Sequence, residues 1–281
     1  MSASSSSMIL HLQTVPARNG ALWVRHGLKV FQRKPLALTG LFGIFMFMGF
    51  ALMLIPALGP LLLLATLPLV SLGFMLATHQ VLQAQTPTVA VFLAPLQLTP
   101  ERRRTQLALG LAYALATVAI MFFSDWVDGG SFAALQELLG KGGDVDEKAL
   151  EAALAEPRLL WGALTRLGLA TLLSIPFWHA PALVHWGGQG ALQALFSSTL
   201  GVWRNKNAFA LSAACWGALA LGFSSLLTLT LSLLGLGKLL PMLMLPAGLM
   251  LSTMFYSSLY FTFVDCFMFG APRDLLSDKQ R

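Results

Sequence analysis

One cationic side chain, that of Arg166, lies inside an apolar stretch, roughly 10 Å from the end of that stretch if it is helical. An arginine at the centre of a membrane span costs about 2.5–3.5 kcal/mol on insertion scales, so it needs a partner or a function. Arg166 is therefore a candidate site for an anionic ligand or a lipid headgroup. The alternative is structural: its guanidinium snorkels outward or pairs with Asp125 or Asp128, at the end of the preceding apolar stretch.

A second set of side chains with donor or acceptor chemistry lies near the ends of three apolar stretches. It consists of His79, His179, His185, Asp265 and Cys266. Such groups could hold a transition metal or relay protons. However, His179 and His185 are six residues apart with Pro181 between them, unlike the i,i+4 pair of a helical metal site. The flanking Trp178 and Trp186 are typical of an ordinary interfacial belt. We expect no metal and no other cofactor, and a proton relay through this set remains a hypothesis.

Hydroxyl groups are dense in the last two apolar stretches, where they could line a polar path. They are Ser224, Ser225, Thr228, Thr230, Ser232, Ser252, Thr253, Tyr256, Ser257, Ser258, Tyr260 and Thr262. More often such groups bond to their own helix or to a neighbouring one. In the first of these stretches Ala210, Ala214, Ala218 and Gly222 recur at i,i+4 spacing, which predicts close helix packing.

The elements that must position these side chains are six long apolar stretches. The chain is 56% hydrophobic and 11% charged. Its mean hydropathy is +0.72. Each stretch is long enough to cross a hydrocarbon core of roughly 30 Å, and continuous apolar runs exclude the alternation of a β-barrel. The sequence therefore predicts an all-α polytopic membrane protein. The predicted spans are 36–55, 60–78, 107–124, 159–178, 208–234 and 240–264.

The positive charges alternate from one side of the predicted membrane to the other. Thirteen of the 18 Lys and Arg residues precede the first span, follow the last, or lie in the second and fourth loops. Because retained loops carry the positive charge, both termini are predicted to be cytoplasmic. The net charge of +6 does not indicate nucleic-acid binding, because the basic residues flank spans and do not cluster with aromatics.

The segments outside the spans have distinct compositions. Residues 1–17 are Ser-rich and expected to be disordered, residues 18–267 form one membrane domain, and residues 268–281 are a cytoplasmic tail. The acidic loop 125–158 is predicted to form a small extracytoplasmic cap with two short helices, at 132–139 and 146–155.

Amphipathic segments precede two of the spans on the predicted cytoplasmic side. On a helical wheel Arg25, Lys29 and Arg33 share one face. We expect this helix to lie at the membrane surface, where each base contributes about 1 kcal/mol near anionic lipid headgroups. The segment 190–203 repeats the pattern more weakly. Together with the hairpins that follow, these segments suggest an internal repeat of one amphipathic helix and two spans.

Several short motifs carry a resemblance to a known family. They are V-P-A-R (Val15–Arg18), G-L-K-V-F before Pro35, I-P-A-L-G-P-L-L (Ile55–Leu62), D-G-G (Asp128–Gly130), F-W-H-A-P-A-L-V (Phe177–Val184), Arg204-Asn205 and Tyr260…Asp265. In these motifs the chain resembles a family of uncharacterised six-span bacterial inner-membrane proteins. The resemblance spans residues 15–267. It implies six spans and an inner-membrane location, and it supplies no catalytic or binding residues.

Two functional hypotheses follow from this pattern. The sequence lacks a phosphate-binding glycine loop, a nucleophile elbow and an H-E-x-x-H motif, so we do not expect an enzyme. The first hypothesis is a non-enzymatic envelope component that binds lipid or partner proteins, and whether it forms a homo-oligomer is open. The alternative is a transporter or permease for a small or lipidic solute, favoured by Arg166, the prolines in the spans and the hydroxyl-rich faces.

Overall fold

The computed structural model describes residues 10–140 and 147–267, with Glu147 described by its backbone only. All regular secondary structure in these ranges is helical. The helices are α1 Asn19–Arg33, α2 Pro35–Met53, α3 Leu58–Leu82, α4 Ala90–Leu93, α5 Pro100–Asp128, α6 Ser131–Gly140, α7 Glu147–Ala155, α8 Pro157–Phe177, α9 Ala180–Gly187, α10 Ala191–Arg204, α11 Lys206–Leu233 and α12 Leu240–Phe267. The predictions for residues 1–9, for the middle of the acidic loop and for the tail 268–281 lie outside the described residues.

Six helical segments are long and apolar enough to cross a membrane, which confirms the predicted fold class. They are α2, α3, α5, α8 continued by α9, α11 and α12. The helices extend beyond the predicted spans because backbone hydrogen bonding continues past the apolar residues. The helix α5 begins at Pro100, seven residues before the predicted span, and is about 43 Å long. Its first turn, with Glu101 and the three arginines that follow, is too polar for a hydropathy pattern to include.

The spans form three hairpins, α2–α3, α5–α8 and α11–α12. The helix α3 packs against α5 and α12, and α5 packs closely along α8. Short helices dock on the hairpins. The helix α1 packs on α11 and α12, α4 packs on α3, and α10 packs on α8 and α9. Two of them, α1 and α10, also contact a second hairpin and so link the hairpins at one end of the bundle.

That end, which we call the packed end, holds the C-terminal ends of α3 and α12 together with α1, α9 and α10. Its side chains are the most buried in the protein, among them Trp23, Phe74, Leu183 and Phe263. The opposite end, called the open end, holds the α6–α7 cap and the turn between α11 and α12. There α11 and the first half of α12 are largely exposed. The bundle is therefore tightly closed at one end only.

The helix α1 is not placed like a helix whose apolar face rests on the membrane surface. That face packs on protein: Trp23 and Val30 are fully buried. Gly27 lies so close to α12 that a Cβ there would be 2.9 Å from the Met254 carbonyl oxygen. The amphipathic pattern is real, but tertiary contacts with α11 and α12 take up its apolar side. Arg25 and Arg33 remain exposed.

The small-residue stripe on α11 does not pack against another helix of the described chain, so the prediction of close packing there is wrong for contacts within the chain. Ala210, Ala214, Ala218 and Gly222 are all exposed. No atom lies within 4 Å of the position that a Cβ would take at Gly222. The helix buries its opposite side instead, through Ala208 and Ser212 beneath α1.

Candidate functional site

Arg166 is on α8, where this helix meets α5 and the cap. Its Nη2 is 2.6 Å from Oδ1 of Asp125 and 3.6 Å from Oδ2 of Asp128. The guanidinium carbon lies 4.1 Å above the centre of the Phe132 ring of α6. The structural alternative from the sequence is therefore what the geometry shows. These contacts join the last turn of α5 to α8 and to the first cap helix.

Asp128 is the buried member of this cluster, with a side chain that is 1% exposed. Its Oδ1 accepts a hydrogen bond from the amide of Gly130 at 2.7 Å. Space for it comes from Gly162 of α8, because any Cβ at that position would collide with the aspartate side chain. Gly162 and Arg166 are one turn apart, so one face of α8 supplies both the room for the carboxylate and the cation that pairs with it.

His79 belongs to a small polar group at the packed end. Its Nδ1 is 2.9 Å from the Tyr260 hydroxyl, and its Nε2 is 3.0 Å from the amide nitrogen of Gln83. An amide nitrogen only donates, so Nε2 accepts and Nδ1 carries the hydrogen in this arrangement. Both ring nitrogens therefore have a hydrogen-bond partner when the imidazole is neutral. His79 thus ties α3 to α12.

His179 is a buried link between α8, α9 and α12. The Thr262 hydroxyl donates to the Leu259 carbonyl at 2.7 Å, so its oxygen accepts from His179 Nε2 at 3.0 Å and from Trp178 Nε1 at 3.3 Å. The other imidazole nitrogen is buried without a partner in the described residues. A second proton there would be an uncompensated buried charge, so the ring is neutral and structural.

The remaining members of the predicted relay point elsewhere. The ring of His185 contacts that of Trp186 edge to face, and its Nδ1 has no hydrogen-bond partner among the described residues. Asp265 accepts hydrogen bonds from Asn19 Nδ2 and Trp23 Nε1, both at 2.8 Å, and so anchors α1. In the part of the chain that the structure describes, no hydrogen-bond chain joins the three histidines to Asp265. No group there could hold a metal ion either.

The carboxylate of Asp265 also affects the pKa of His26. This histidine lies on α1, and the centre of its ring is 5.0 Å from that of Phe261. Burial lowers the pKa of His26 below 6.5, and the nearby charge of Asp265 opposes this effect.

Asn205 is a site residue whose role the sequence did not reveal. It is 2% exposed and lies at the break between α10 and α11. Its Oδ1 accepts from the Val15 amide at 2.8 Å, and its Nδ2 donates to the Gln13 carbonyl at 2.9 Å and to Cys266 Sγ at 3.3 Å. The motif Arg204-Asn205 was the available signal, but its partner segment is 190 residues away.

This bonding corrects the prediction of disorder for residues 10–17. The amides of His11 and Gln13 bond to the carbonyls of Phe267 and Cys266, at 3.1 and 2.8 Å. They thereby satisfy carbonyl groups that the last turn of α12 leaves without a helical partner. We call residues 10–17 the strap. Its local composition could not indicate this order, because the residues that bond to the strap come from the far end of the chain.

A cavity of about 160 Å³ lies between α3, α5, α8 and α12. Its lining residues are Leu67, Pro68, Ser71, Tyr113, Ser174, Phe177, Trp178, Phe255, Tyr256 and Leu259. The residues from α3, α5 and α12 lie near the middles of their helices, so the cavity is at the depth of the apolar core. It is larger than the void that holds a benzene molecule in an engineered protein core, about 150 Å³.

The helix packing determines where this cavity lies and where it ends. While α3 packs on α5 and α12, α8 and α12 make little backbone contact with each other, and the cavity lies between them. Toward the packed end it is closed by Trp178, which is bonded to Thr262. Hydroxyls of α12 near it turn back to their own helix: Thr253 bonds to the Leu249 carbonyl at 2.6 Å and Ser257 to that of Thr253 at 2.8 Å.

Six helical segments long and apolar enough to cross a membrane define the class, a polytopic α-helical membrane protein. The chain is 32% identical over 271 residues to the "Probable inner membrane protein BTH_II0599" of Burkholderia thailandensis, an alignment that covers 94% of this chain and 97% of the relative. With that identity and coverage, the chain belongs to the family of this inner-membrane protein, which confirms the resemblance seen in the motifs. No protein-family profile matches the chain. No solved structure matches it.

Proposed function

We propose that this protein is a non-enzymatic inner-membrane component that binds a lipidic molecule in the cavity between α3, α5, α8 and α12. The observation that carries the proposal is the cavity itself, an aromatic and aliphatic void of about 160 Å³ at the depth of the lipid chains. Ligand sites are typically concave and mostly apolar, with a few polar groups. We place the route from the bilayer, where a lipidic ligand is dissolved, between α8 and α12, because these helices make little backbone contact with each other.

The packed end is proposed to face the cytoplasm, with both termini on that side. Support comes from the positive charges, because α1, the start of α5 and the α10–α11 break all belong to this end and carry most of them. In that orientation Arg25, Lys29 and Arg33 lie near anionic headgroups of the inner leaflet. The bilayer is then the principal partner, and nothing in the charge pattern favours nucleic acid.

A transporter is the second candidate, and one observation favours it. Pro68 lies inside α3 and lines the cavity, and Pro176 lies inside α8 beside it. Proline removes a backbone hydrogen bond, so each helix lacks one beside the cavity, where alternating access would need a flexible point. Against transport, Arg166 is engaged by two carboxylates, and the bonded pair Trp178 and Thr262 separates the cavity from the packed end.

The test of lipid binding is to fill the cavity and identify what co-purifies. Ser174 lines the cavity and bonds only to its own helix, at the Thr171 carbonyl, so Ser174→Phe fills space at small local cost. Leu172→Phe is the matched control, because Leu172 is 62% exposed on the same helix. Native mass spectrometry after mild extraction should show a bound lipid in the wild type and the control and not in Ser174→Phe.

Thermal unfolding of each variant reports whether the fold is intact, and Ser71→Phe repeats the test from α3, with Leu62→Phe as its control. Equal lipid retention by both filled variants would refute binding in the cavity. A stoichiometric protein partner in place of a lipid would favour the partner-binding form of the hypothesis. Solute uptake into vesicles that depends on Ser174 would favour the transporter.

A further inference from the structure

The chemistry of the cavity lining suggests which class of lipidic molecule fits. This inference rests on the proposed function and narrows it. Half of the ten lining residues are aromatic: Tyr113, Phe177, Trp178, Phe255 and Tyr256. They contact one another edge to face. Tyr113 meets Phe177 at 5.1 Å and 75°, and Trp178 meets Phe255 at 6.1 Å and 89°. Such walls offer both ring faces and ring edges, the two surfaces against which a flat ring packs favourably.

The polar groups in the lining include two phenols, those of Tyr113 and Tyr256. Ser71 and Ser174 donate to the carbonyls of Pro68 and Thr171, so only their lone pairs face other partners. Tyr256 is held by the rings of Phe42, Phe74 and Phe255, and its hydroxyl bonds to none of the described residues. A phenol that borders an apolar cavity can donate its hydrogen to a ligand with an acceptor oxygen.

A second void of similar size shows what an acyl-chain site in this protein would look like. This void, about 170 Å³, lies between α2, α3 and α4. Its lining is mainly aliphatic, including Met48, Leu52, Leu63 and Leu69, and its one hydroxyl, that of Thr66, bonds back to the Leu63 carbonyl. An acyl chain needs no donor and no ring faces. The aromatic cavity is therefore built for a different ligand.

We propose that the aromatic cavity binds the head ring of a lipid-soluble molecule, a flat six-membered ring with carbonyl oxygens on a hydrophobic tail, as in a prenylated or alkylated benzoquinone. The ring lies between the aromatic side chains, the Tyr256 hydroxyl donates to a ring carbonyl, and the tail leaves through the gap between α8 and α12. The volume of about 160 Å³ is only slightly larger than that of a void that holds benzene, so the cavity has room for a head ring while the tail lies outside it.

The test uses decylubiquinone, a benzoquinone with a ten-carbon tail, and methyl dodecanoate, which has a tail and a carbonyl but no ring. Both are titrated into the full-length protein in detergent and followed by native mass spectrometry. The wild type should form a one-to-one complex with decylubiquinone and none with methyl dodecanoate at equal concentration. Tyr256→Phe should weaken quinone binding about fivefold, the effect of one hydrogen bond, with its ring packing retained. Tyr260→Phe, whose hydroxyl bonds to His79 away from the cavity, should bind normally.

The outcomes separate this inference from the proposed function. Equal binding of the two probes, or unchanged quinone binding by Tyr256→Phe, would overturn the ring assignment. If Ser174→Phe also releases a co-purified lipid that has no ring, lipid binding stands and only the ligand class is wrong. If Ser174→Phe keeps both its lipid and its quinone affinity, the cavity is not the site, and both proposals fail.

Discussion

Asn205 shows how much of this fold depends on single polar side chains at the packed end. One buried amide bonds to the strap, to α10 and to α12: its oxygen accepts one hydrogen bond, and its two N–H hydrogens are shared among three acceptors. Its partners are backbone groups of the strap and of α10 and the buried thiol of Cys266. The side chain therefore acts as the junction at which the first and last parts of the chain meet.

We predict that Asn205→Ala destabilises the protein by about 1–3 kcal/mol, because it leaves buried backbone groups unsatisfied. The strap should detach before the bundle unfolds. Hydrogen–deuterium exchange should therefore show faster exchange at Gln13 and Val15, with little change in α3. Asn207→Ala, an exposed neighbour on α11, is the control. Unchanged exchange in the strap would show that the other contacts of residues 10–17 suffice.

The ion pairs at the open end predict a structural role for Arg166. We expect Arg166→Ala to lower stability by about 1–3 kcal/mol, since it leaves the carboxylate of Asp128 buried without a cation. The loss is smaller than for a fully buried pair because the Arg166 side chain is 24% exposed. Thermal unfolding and membrane abundance are the measurements.

Asp125→Asn is the comparison, because that side chain is 55% exposed and its pair should contribute little. A large loss there and none in Arg166→Ala would contradict this ranking. An Arg166→Ala protein of normal stability that lost a bound anionic ligand would restore the binding hypothesis for this residue.

At the scale of elements, the docking of short helices on hairpins depends on close backbone approach. The helix α1 crosses α12 at Gly27, where a Cβ would lie 2.8 Å from that of Ser258. The same helix crosses α11 at Gly20, where a Cβ would overlap the Ala208 carbonyl. Glycine at these positions lets a helix that would otherwise rest on the membrane surface pack into the protein.

We predict that Gly27→Leu separates α1 from α12 and lowers stability by about 1–3 kcal/mol, the usual cost of overpacking. Loss of the Trp23 bond to Asp265 should accompany it, visible as a red shift of tryptophan emission. Gly43→Ala in α2 is the matched control, because nothing lies within 4 Å of its Cβ position. That variant should keep or slightly raise the unfolding temperature. If the two variants had the same stability, the close approach would carry no energy.

At the scale of the whole molecule, the asymmetry between its two ends is the main feature. The packed end joins all three hairpins through docked helices and buried bonds, while the open end leaves α11 and half of α12 exposed to the apolar phase. The aromatic cavity lies between the packed end and the open end. The orientation of the protein in the membrane therefore determines which leaflet is nearer to the closed side of the cavity.

Reporter fusions test this orientation. Green fluorescent protein fused after residue 281 should fluoresce, and alkaline phosphatase at the same place should be inactive, because the C-terminus is predicted to be cytoplasmic. Alkaline phosphatase inserted after Gly143, in the acidic loop, should be active. The opposite pair of results would invert the protein in the membrane. The fold would be unaffected, since its packing is independent of which side is which.

The sequence by itself determined the class, the six spans and the pattern of charge, because hydrophobic length and charge placement are local properties that the bilayer reads directly. It also named pairing with Asp125 or Asp128 as the structural alternative to a ligand site at Arg166, since an isolated cation in a span needs a partner or a function. Only the tertiary structure decided the rest. It placed the apolar face of α1 on protein, left the α11 stripe outside the bundle, held the strap through Asn205 and assembled an aromatic cavity from four helices. Each of these depends on contacts between residues far apart in the chain, and no local pattern encodes which surfaces meet.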